Sequence, residues 1–348
     1  MVMNLSLLIP NLFWPDVSQA EIYRDLSIPS LEKLLAKSIA IQYQPHEMEI
    51  WLCKTFNISQ QQNNWPIAPI MLHVDAPGLI RTNKDYWIRA DPVHLRIEQN
   101  HIMLADSEAF EISKEEATQI VHDINKNLGS HHNFTLLPLH PHRWYIRLPR
   151  AAEIQTYTLG QVTCMNINNF LPTGKESMIW HKIINEIQML LYEHPVNQAR
   201  ESLGKLTINS LWFWGGGTMP QLIHAPYTHI WSNNDLLHAL ALSCNINYSQ
   251  LPIHADEWLR ANTPGNHLIV LDMLREKAKY RNAFDWRETL NSLEKNWFLP
   301  LYNALKKGDI NQLAITGLSE ISSQTFVAKR SSLWKFWRMA KLLPFYLK

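Results

Sequence analysis

The stretch L-S-L-L-I-P-N, Leu5–Asn11, is an apolar run that is closed by a proline and an asparagine. This pattern predicts a short buried strand that ends in a loop. A second stretch, H-L-I-V-L, covers His267–Leu271 and also predicts a buried strand, which leads directly into Asp272. Both stretches are therefore expected to lie in the interior of the fold.

After the first strand, the spacing of leucines predicts a helix over Ser30–Leu35 with Ser30 as its cap. A second helix is predicted over Pro45–Phe56, and Pro66–Val74 is interpreted as the start of the next strand. In the second half of the chain, predicted helices and strands alternate, which favours a parallel sheet. These elements are the helix Ile179–Glu193, the strand Asn209–Trp214, the helix Asp235–Ser243, the strand His267–Leu271 and the helix Trp286–Lys307, interrupted or bent at Pro300.

Between these two parts, short strand-like segments surround one clear helix. That helix covers Ser113–Leu128, with Ser113 as its cap and Glu116 at the capping-box position. The predicted strands are Tyr86–Ala90, His94–Gln99, His101–Ala105, Phe134–Leu139 and Arg143–Leu148. This mixture of short strands with one helix predicts an α+β insertion or a small domain.

Composition excludes several classes of protein. The chain has 348 residues, of which 46% are hydrophobic and 18% charged, so it can form a substantial globular core. Its formal net charge of +1 gives no overall field that would attract nucleic acid, and no nucleic-acid partner is expected. Three scattered cysteines suit a reducing cytoplasm, and no apolar stretch reaches the roughly 18 residues that a membrane-spanning helix needs.

The strand Asn209–Trp214 runs into Gly215, Gly216 and Gly217, which we interpret as a glycine loop. The loop lacks the G-x-G-x-x-G and P-loop patterns, so it is either a tight turn or a loop that faces a ligand. Arg200, ahead of this loop, either clamps a phosphate or carboxylate or forms an ion pair with Glu186 or Glu201. The candidate ligand-binding residues are Asn197, Arg200, Asn209, Trp214, Gly215, Gly216 and Gly217.

Six stretches are distinctive when taken jointly: N-W-P-I-A-P (Asn64–Pro69), Y-W-I-R-A-D-P-V-H-L-R (Tyr86–Arg96), H-R-W-Y (His142–Tyr145), N-E-I-Q-M-L-L (Asn185–Leu191), H-P-V-N-Q-A-R (His194–Arg200) and N-S-L-W-F-W-G-G-G (Asn209–Gly217). Together they resemble the RpfE-type regulatory proteins, which are similar to cofactor-independent phosphoglycerate mutases. The resemblance covers about residues 5–340. It implies an alkaline-phosphatase-like α/β sheet with helices on both faces, interrupted by an α+β insertion.

The expected division therefore has a discontinuous α/β core over residues 1–75 and 175–328, with the insertion over 76–174. The resemblance also implies that active relatives hold two divalent metals with Asp and His ligands. Here the first strand ends in Pro10-Asn11 instead of Asp-Gly, and no histidine follows His267. Asp272 leaves only a single weak metal site open, so we expect no metal centre and no cofactor.

These departures predict a catalytically degenerate mutase-like protein with a regulatory or ligand-binding role. The expected ligand is a phosphorylated or carboxylate small molecule. Two alternatives stay open: an active mutase or phosphatase with relocated metal ligands, and a partner-binding scaffold that would expose a large apolar patch.

The last segment, residues 329–348, carries Lys and Arg but no acidic residue. Helical spacing from Ser332 would place Leu333, Phe336 and Trp337 on one face and the cations on the other, which predicts a basic amphipathic helix. Such a helix either packs on the core or contacts an anionic membrane or an acidic protein partner.

Overall fold

The structure is a computed structural model, and it describes residues 3–16, 18–82, 85–98, 101–107, 109–221, 223–261, 263–319 and 322–347. Lys348, the last cation of the basic segment, lies outside these residues. Within the described part of the chain, no helix combines the length and apolar character needed to cross a membrane.

The strands are β1 Met3–Pro10, β2 Ile39–Tyr43, β3 Tyr86–Glu98, β4 His101–Ala105, β5 Thr135–His140, β6 Arg143–Leu148, β7 Ser210–Gly217, β8 His229–Trp231, β9 Asn247–Ser249, β10 Gly265–Val270, β11 Gln312–Leu318 and β12 Ser323–Lys329. The α-helices are α1 Pro29–Lys37, α2 Met48–Thr55, α3 Ile67–Asp75, α4 Lys114–Ile124, α5 Ser130–His132, α6 Leu159–Val162, α7 Ser177–Tyr192, α8 Pro195–Ser202, α9 Asp235–Cys244, α10 Ala255–Ala261, α11 Arg275–Lys279, α12 Ala283–Leu293 and α13 Leu299–Lys307.

The chain divides into two compact units. Unit 1 consists of residues 1–55 and 225–348, and unit 2 of residues 56–224. These boundaries differ from the expected ones at 75/76 and 174/175, because α3, α7, α8 and β7 all belong to unit 2. An α/β core interrupted by an α+β unit is nevertheless the observed architecture.

Unit 1 contains a seven-stranded sheet in the order β2-β12-β11-β1-β10-β8-β9. The expected first strand lies at its centre, where β1 pairs in parallel with both β10 and β11. Strand β10 continues the parallel arrangement to β8, and β8 to β9. At the other edge the pairings are antiparallel: β12 runs antiparallel to β11, and β2 runs antiparallel to β12. The predicted α/β class is therefore confirmed.

Large aromatic side chains fill the core of unit 1. The indole of Trp14 packs edge-on against Trp286 with ring centroids 5.6 Å apart, and Tyr23 meets the same indole at 5.7 Å. All three side chains are buried. Each such ring removes a large apolar area from water, which explains much of the tryptophan content of the sequence.

The N-terminus of α1 is satisfied by a distant side chain rather than by its own cap. Glu294, on a π-helical turn between α12 and α13, accepts hydrogen bonds from the backbone of Ser30 at 2.7 Å and Leu31 at 3.1 Å. A carboxylate suits the positive end of a helix dipole. The predicted cap at Ser30 is wrong, because Ser30 lies inside the first turn and Ile28 occupies the cap position.

Unit 2 contains an antiparallel sheet in the order β4-β3-β6-β5, with β7 also paired to β3. The predicted cap of α4 is confirmed: Ser113 Oγ accepts from the backbone of Glu116, whose carboxylate accepts from the backbone of Ser113. Helices α4 and α7 bury apolar faces in the same cluster as β3 and β6.

Three predictions about this unit are wrong. Pro66–Val74 is not the start of a strand but the helix α3, and the three glycines are part of β7 rather than a loop. Strand β7 pairs antiparallel with β3, so it is not a strand of the parallel sheet. The glycines are explained by packing: a Cβ at Gly217 would lie 2.5 Å from Pro66, and a Cβ at Gly216 would lie 2.8 Å from the Tyr86 hydroxyl.

The helix predicted from Ser332 is also wrong. The segment forms two short 3-10 turns, Arg330–Trp334 and Leu343–Tyr346, separated by irregular chain. Lys37 at the end of α1 donates from Nζ to the carbonyls of Lys335 and Arg338, at 2.6 Å each, so those backbone acceptors face α1 instead of an intrahelical partner.

Replacing Gly217 with alanine should destabilise the protein by about 1–3 kcal/mol, because the new methyl group would overlap the Pro66 ring. Gly78 is exposed, and no heavy atom lies within 4 Å of the position that a methyl group would take there, so Gly78→Ala is the matched control and should change stability little. Urea unfolding of both variants measures the difference. Equal midpoints would contradict the close approach of α3 to β7.

Candidate functional site

The carboxyl ends of β1, β10, β8 and β9 meet at one edge of the parallel sheet, where open α/β sheets keep their ligand crevice. Asn11 follows β1, Asp272 follows β10, and Asn234 follows β8 by three residues. The sequence placed Asp272 at this edge correctly. These residues, together with Glu47, Glu49 and Arg275, all lie in unit 1, and we call them the crevice after the place where open α/β sheets bind ligands.

Asp272 is held among polar partners at this edge. The Asn234 side chain hydrogen-bonds the Asp272 carboxylate, and it also caps α9 by accepting from the backbone of Leu236 at 3.0 Å. Burial raises the pKa of the Asp272 carboxyl, and the charge of Arg275 and the bond from Asn234 offset only part of that effect. A carboxylate that is costly to ionise in a crevice is a feature of functional sites.

Arg275 supplies a positive charge beside Asp272. Its Nη2 lies 2.7 Å and 2.9 Å from the two carboxylate oxygens of Glu49, on α2, and 4.0 Å from Glu47. The side chains of Arg275 and Glu49 are 19% and 12% exposed, so solvent screens this pair only partly. The Arg275 guanidinium therefore offsets the negative charges of two carboxylates, those of Glu49 and Asp272.

The side chains of the crevice do not fit a two-metal centre. Among the described residues, no group of three or more His, Cys, Asp or Glu side chains could hold a metal ion. The position after β1 offers an asparagine, and the charged group with the largest effect on Asp272 is the cationic Arg275, at the start of α11. Divalent ions for phosphoryl transfer require several anionic oxygen or imidazole ligands, which repel each other until the metal binds.

The predicted ligand residues Asn197 and Arg200 are committed to contacts within unit 2. Asn197 donates to the carbonyls of Leu191 and Ile208, at 2.8 Å each, and accepts from the Ile208 backbone at 2.8 Å. Arg200, 1% exposed, donates to the Leu206 carbonyl at 2.6 Å and to Glu116 at 2.9 Å.

The partner of Arg200 is thus Glu116, not Glu186 or Glu201. Glu186 instead accepts from His132 at 2.6 Å. Glu116 serves two elements, since one oxygen closes the cap of α4 and the other holds Arg200 on α8. Sequence alone could not pair residues that lie 84 positions apart.

Asn209 lies before β7 and hydrogen-bonds the backbone of Leu95 in both directions, at 2.7 Å and 2.8 Å. Gly215, Gly216 and Gly217 lie at the other end of the same strand, about 20 Å away along an extended chain. The candidate residues Asn197, Arg200, Asn209 and the glycines all lie in unit 2 and not at the carboxyl ends of the parallel sheet, and Asn209 and the glycines are at opposite ends of β7. Their binding of a phosphorylated or carboxylate molecule stays a prediction.

Trp214 belongs to a buried polar cluster that the sequence did not predict. Asp91 accepts from Arg89 Nη2 at 2.7 Å and from the Trp214 indole at 2.7 Å. The Arg89 guanidinium lies over the rings of Tyr145 and Trp214, 5.2 Å and 5.1 Å from their centroids. Arg89 and Asp91 are 5% and 1% exposed, so this ion pair is almost fully removed from water.

A second ion pair adjoins the first. Arg143 donates to both oxygens of Asp75, at 2.8 Å and 2.6 Å, and the Tyr145 hydroxyl donates to the same carboxylate. Burial would raise the pKa of Asp75, but the bonds from Arg143 and Tyr145 outweigh it and lower the pKa. The sequence carried a signal for this cluster: Arg89 and Asp91, two residues apart, point to one face of β3 within the stretch 86–93, whose other residues are apolar or aromatic.

Replacing Arg200 with methionine should destabilise the protein by about 2–3 kcal/mol, because Glu116 and the Leu206 carbonyl would lose their donor. Arg147→Met is the control: the Arg147 side chain is 51% exposed beside Asp85, so its loss should cost less than about 1 kcal/mol. Thermal unfolding compares the two variants. An Arg200 variant as stable as the unaltered protein would instead favour a ligand-binding role.

Residues 76–197, all within unit 2, match the family model described as 2,3-bisphosphoglycerate-independent phosphoglycerate mutase. The mutase of that name from Methanosarcina barkeri is 26% identical over 218 residues, which cover 59% of this chain and 52% of the relative. The Methanosarcina mazei mutase is 26% identical over 201 residues, 55% of this chain and 50% of the relative. The chain spans about half the length of these curated relatives.

A solved structure, that of the PH0037 protein from Pyrococcus horikoshii, aligns with 94% of this chain and 87% of its own, with a TM-score of 0.57 and 14% sequence identity. That likeness concerns the fold alone. Over part of its length, this chain is therefore similar to 2,3-bisphosphoglycerate-independent phosphoglycerate mutases.

Proposed function

We propose that this protein is a catalytically degenerate phosphoglycerate mutase-like protein with a regulatory role of the RpfE type. One observation carries the proposal: the crevice at the carboxyl ends of the parallel strands holds the Arg275–Glu49 ion pair beside Asp272 instead of a set of metal ligands among the described residues. A guanidinium neutralises carboxylates but does not bridge the attacking and leaving oxygens of a phosphoryl group as paired metals do.

The distribution of the family match supports this proposal. The mutase model matches residues within unit 2, whereas the crevice belongs to unit 1. The residues that match the mutase model therefore do not include those of the crevice, which suits a protein that senses or binds a ligand rather than turning it over. Its cytoplasmic location stays a prediction.

A second candidate is an active mutase with relocated metal ligands. The observation in its favour is that the curated relatives, among them the two Methanosarcina proteins, are named as mutases. In that case a metal would displace Arg275 and bind the carboxylates of Asp272 and Glu49 in the crevice.

The test is an assay of 2- and 3-phosphoglycerate interconversion with Mn²⁺ or Mg²⁺ added, combined with elemental analysis of the purified protein. We expect no turnover above a buffer control and no stoichiometric metal. Turnover that requires metal and is lost in both Asp272→Asn and Glu49→Gln, with folding intact, would overturn the proposal and establish the second candidate. Asp85→Asn, at a half-exposed ion pair in unit 2, is the matched control.

The buried carboxyl of Asp272 also predicts a pH effect on stability. Because burial raises the pKa of Asp272, its ionised form is penalised in the folded protein. This cost to stability is complete at pH values above the pKa of Asp272 in the folded protein. It disappears as the pH falls below the pKa of the same group in the unfolded chain, about 3.9. Asp272→Asn should therefore stabilise the protein at pH 7, and the gain should shrink at pH 4.5.

Urea midpoints of both proteins at the two pH values measure this gain. A gain of equal size at both values would show that Asp272 is not the titrating group. A loss of stability at pH 7 would show that its charge is needed by Arg275.

A further inference from the structure

The segment 334–345 exposes an unusual density of large apolar side chains. We call these the tail surface: Trp334, Phe336, Trp337, Met339, Leu342 and Phe345, which are 80%, 84%, 65%, 80%, 55% and 64% exposed. Single exposed apolar residues are normal on protein surfaces, but a contiguous group marks an interaction site.

The backbone beneath the tail surface is fixed to unit 1. Leu343 is buried in the core, and the Tyr346 hydroxyl donates to the Glu32 carbonyl at 3.2 Å. Arg338 Nη1 donates to the Ser38 carbonyl at 2.7 Å, while Lys37 holds the carbonyls of Lys335 and Arg338. The apolar side chains therefore project from an anchored chain, and their exposure is a property of the folded state.

Positive charge is interleaved with these side chains. Lys335, Arg338 and Lys341 alternate with the aromatic residues, and Lys329 and Arg330 precede them. Residues 329–348 contain no Asp or Glu. The surface thus combines apolar anchors with an unbalanced positive charge, although the whole chain carries a formal charge of only +1.

A groove of about 780 Å³ continues the tail surface toward the sheet edge. Trp337, Lys341 and Phe345 line one part of it, and Ile39 and Ala40 of β2 line another. Strand β2 is the outermost strand of the sheet, and all five of its residues are exposed. Apolar area therefore extends beyond the tail surface itself.

We propose that the tail surface binds the interface of a membrane rich in anionic lipids, with the aromatic side chains inserted among the acyl chains and the cations at the headgroups. Tryptophan and phenylalanine with flanking lysine are typical of membrane interfaces. Lysine is depleted in the cores of protein interfaces, so its position between the aromatic residues favours a lipid surface over a protein partner.

The test is co-sedimentation of the full chain with vesicles of phosphatidylcholine alone or with added phosphatidylserine. We expect binding to the anionic vesicles only, weaker at high salt because the headgroup charges are then screened. Trp334→Ser/Phe336→Ser should reduce the affinity by about tenfold or more, since two inserted rings are lost. Lys335→Gln/Lys341→Gln should reduce both the affinity and its salt dependence.

Matched controls carry the same chemical changes elsewhere. Phe284→Ser/Tyr192→Ser removes two rings that are 72% and 81% exposed, and Lys126→Gln/Lys295→Gln removes two exposed charges. Both controls should bind as the unaltered chain does.

Substitutions are preferred to truncation because Leu343 and Tyr346 contribute to the core. Failure to bind anionic vesicles, or equal losses in the tail and control variants, would overturn the proposal. Salt-sensitive capture of an acidic protein without vesicle binding would overturn it in favour of a protein partner. The test is independent of mutase activity.

Discussion

The burial of β1 between two parallel neighbours is the constraint on which the rest of unit 1 depends. Strand β1 pairs with β10 on one side and β11 on the other, so its backbone groups are satisfied and its apolar side chains meet the core. That central position brings the carboxyl ends of β1 and β10 together. The side chains that follow them, Asn11 and Asp272, then define the crevice.

One ion pair, Arg275–Glu49, determines the electrostatics of the crevice. Arg275 follows β10, and Glu49 comes from α2, so the pair connects segments 226 positions apart. A guanidinium that both satisfies Glu49 and offsets the charge of Asp272 removes the electrostatic reason for binding a divalent cation there. The same geometry leaves the Asp272 carboxylate buried and costly to ionise, which is a cost that proteins commonly retain for function.

Unit 2 is organised by close packing and by buried ion pairs. The glycines of β7 admit α3, and Arg89 and Arg143 place positive charge between aromatic rings and the carboxylates of Asp91 and Asp75. Breaking one member of such a pair leaves an uncompensated charge in low dielectric. The family model matches residues 76–197 of this unit, a range that includes Arg89, Asp91 and Arg143.

The sequence by itself determined β1, β10 and the capped start of α4, because an apolar run and the pair Ser113–Glu116 act through neighbouring residues. It did not determine that Pro66–Val74 is helical, that β7 joins an antiparallel sheet, or that the tail is not a helix. Those outcomes depend on contacts between distant residues, such as Gly217 with Pro66 and Lys37 with the Lys335 carbonyl, which outweigh local propensity. The Arg275–Glu49 pair belongs to the same class, since only the tertiary fold brings its members together.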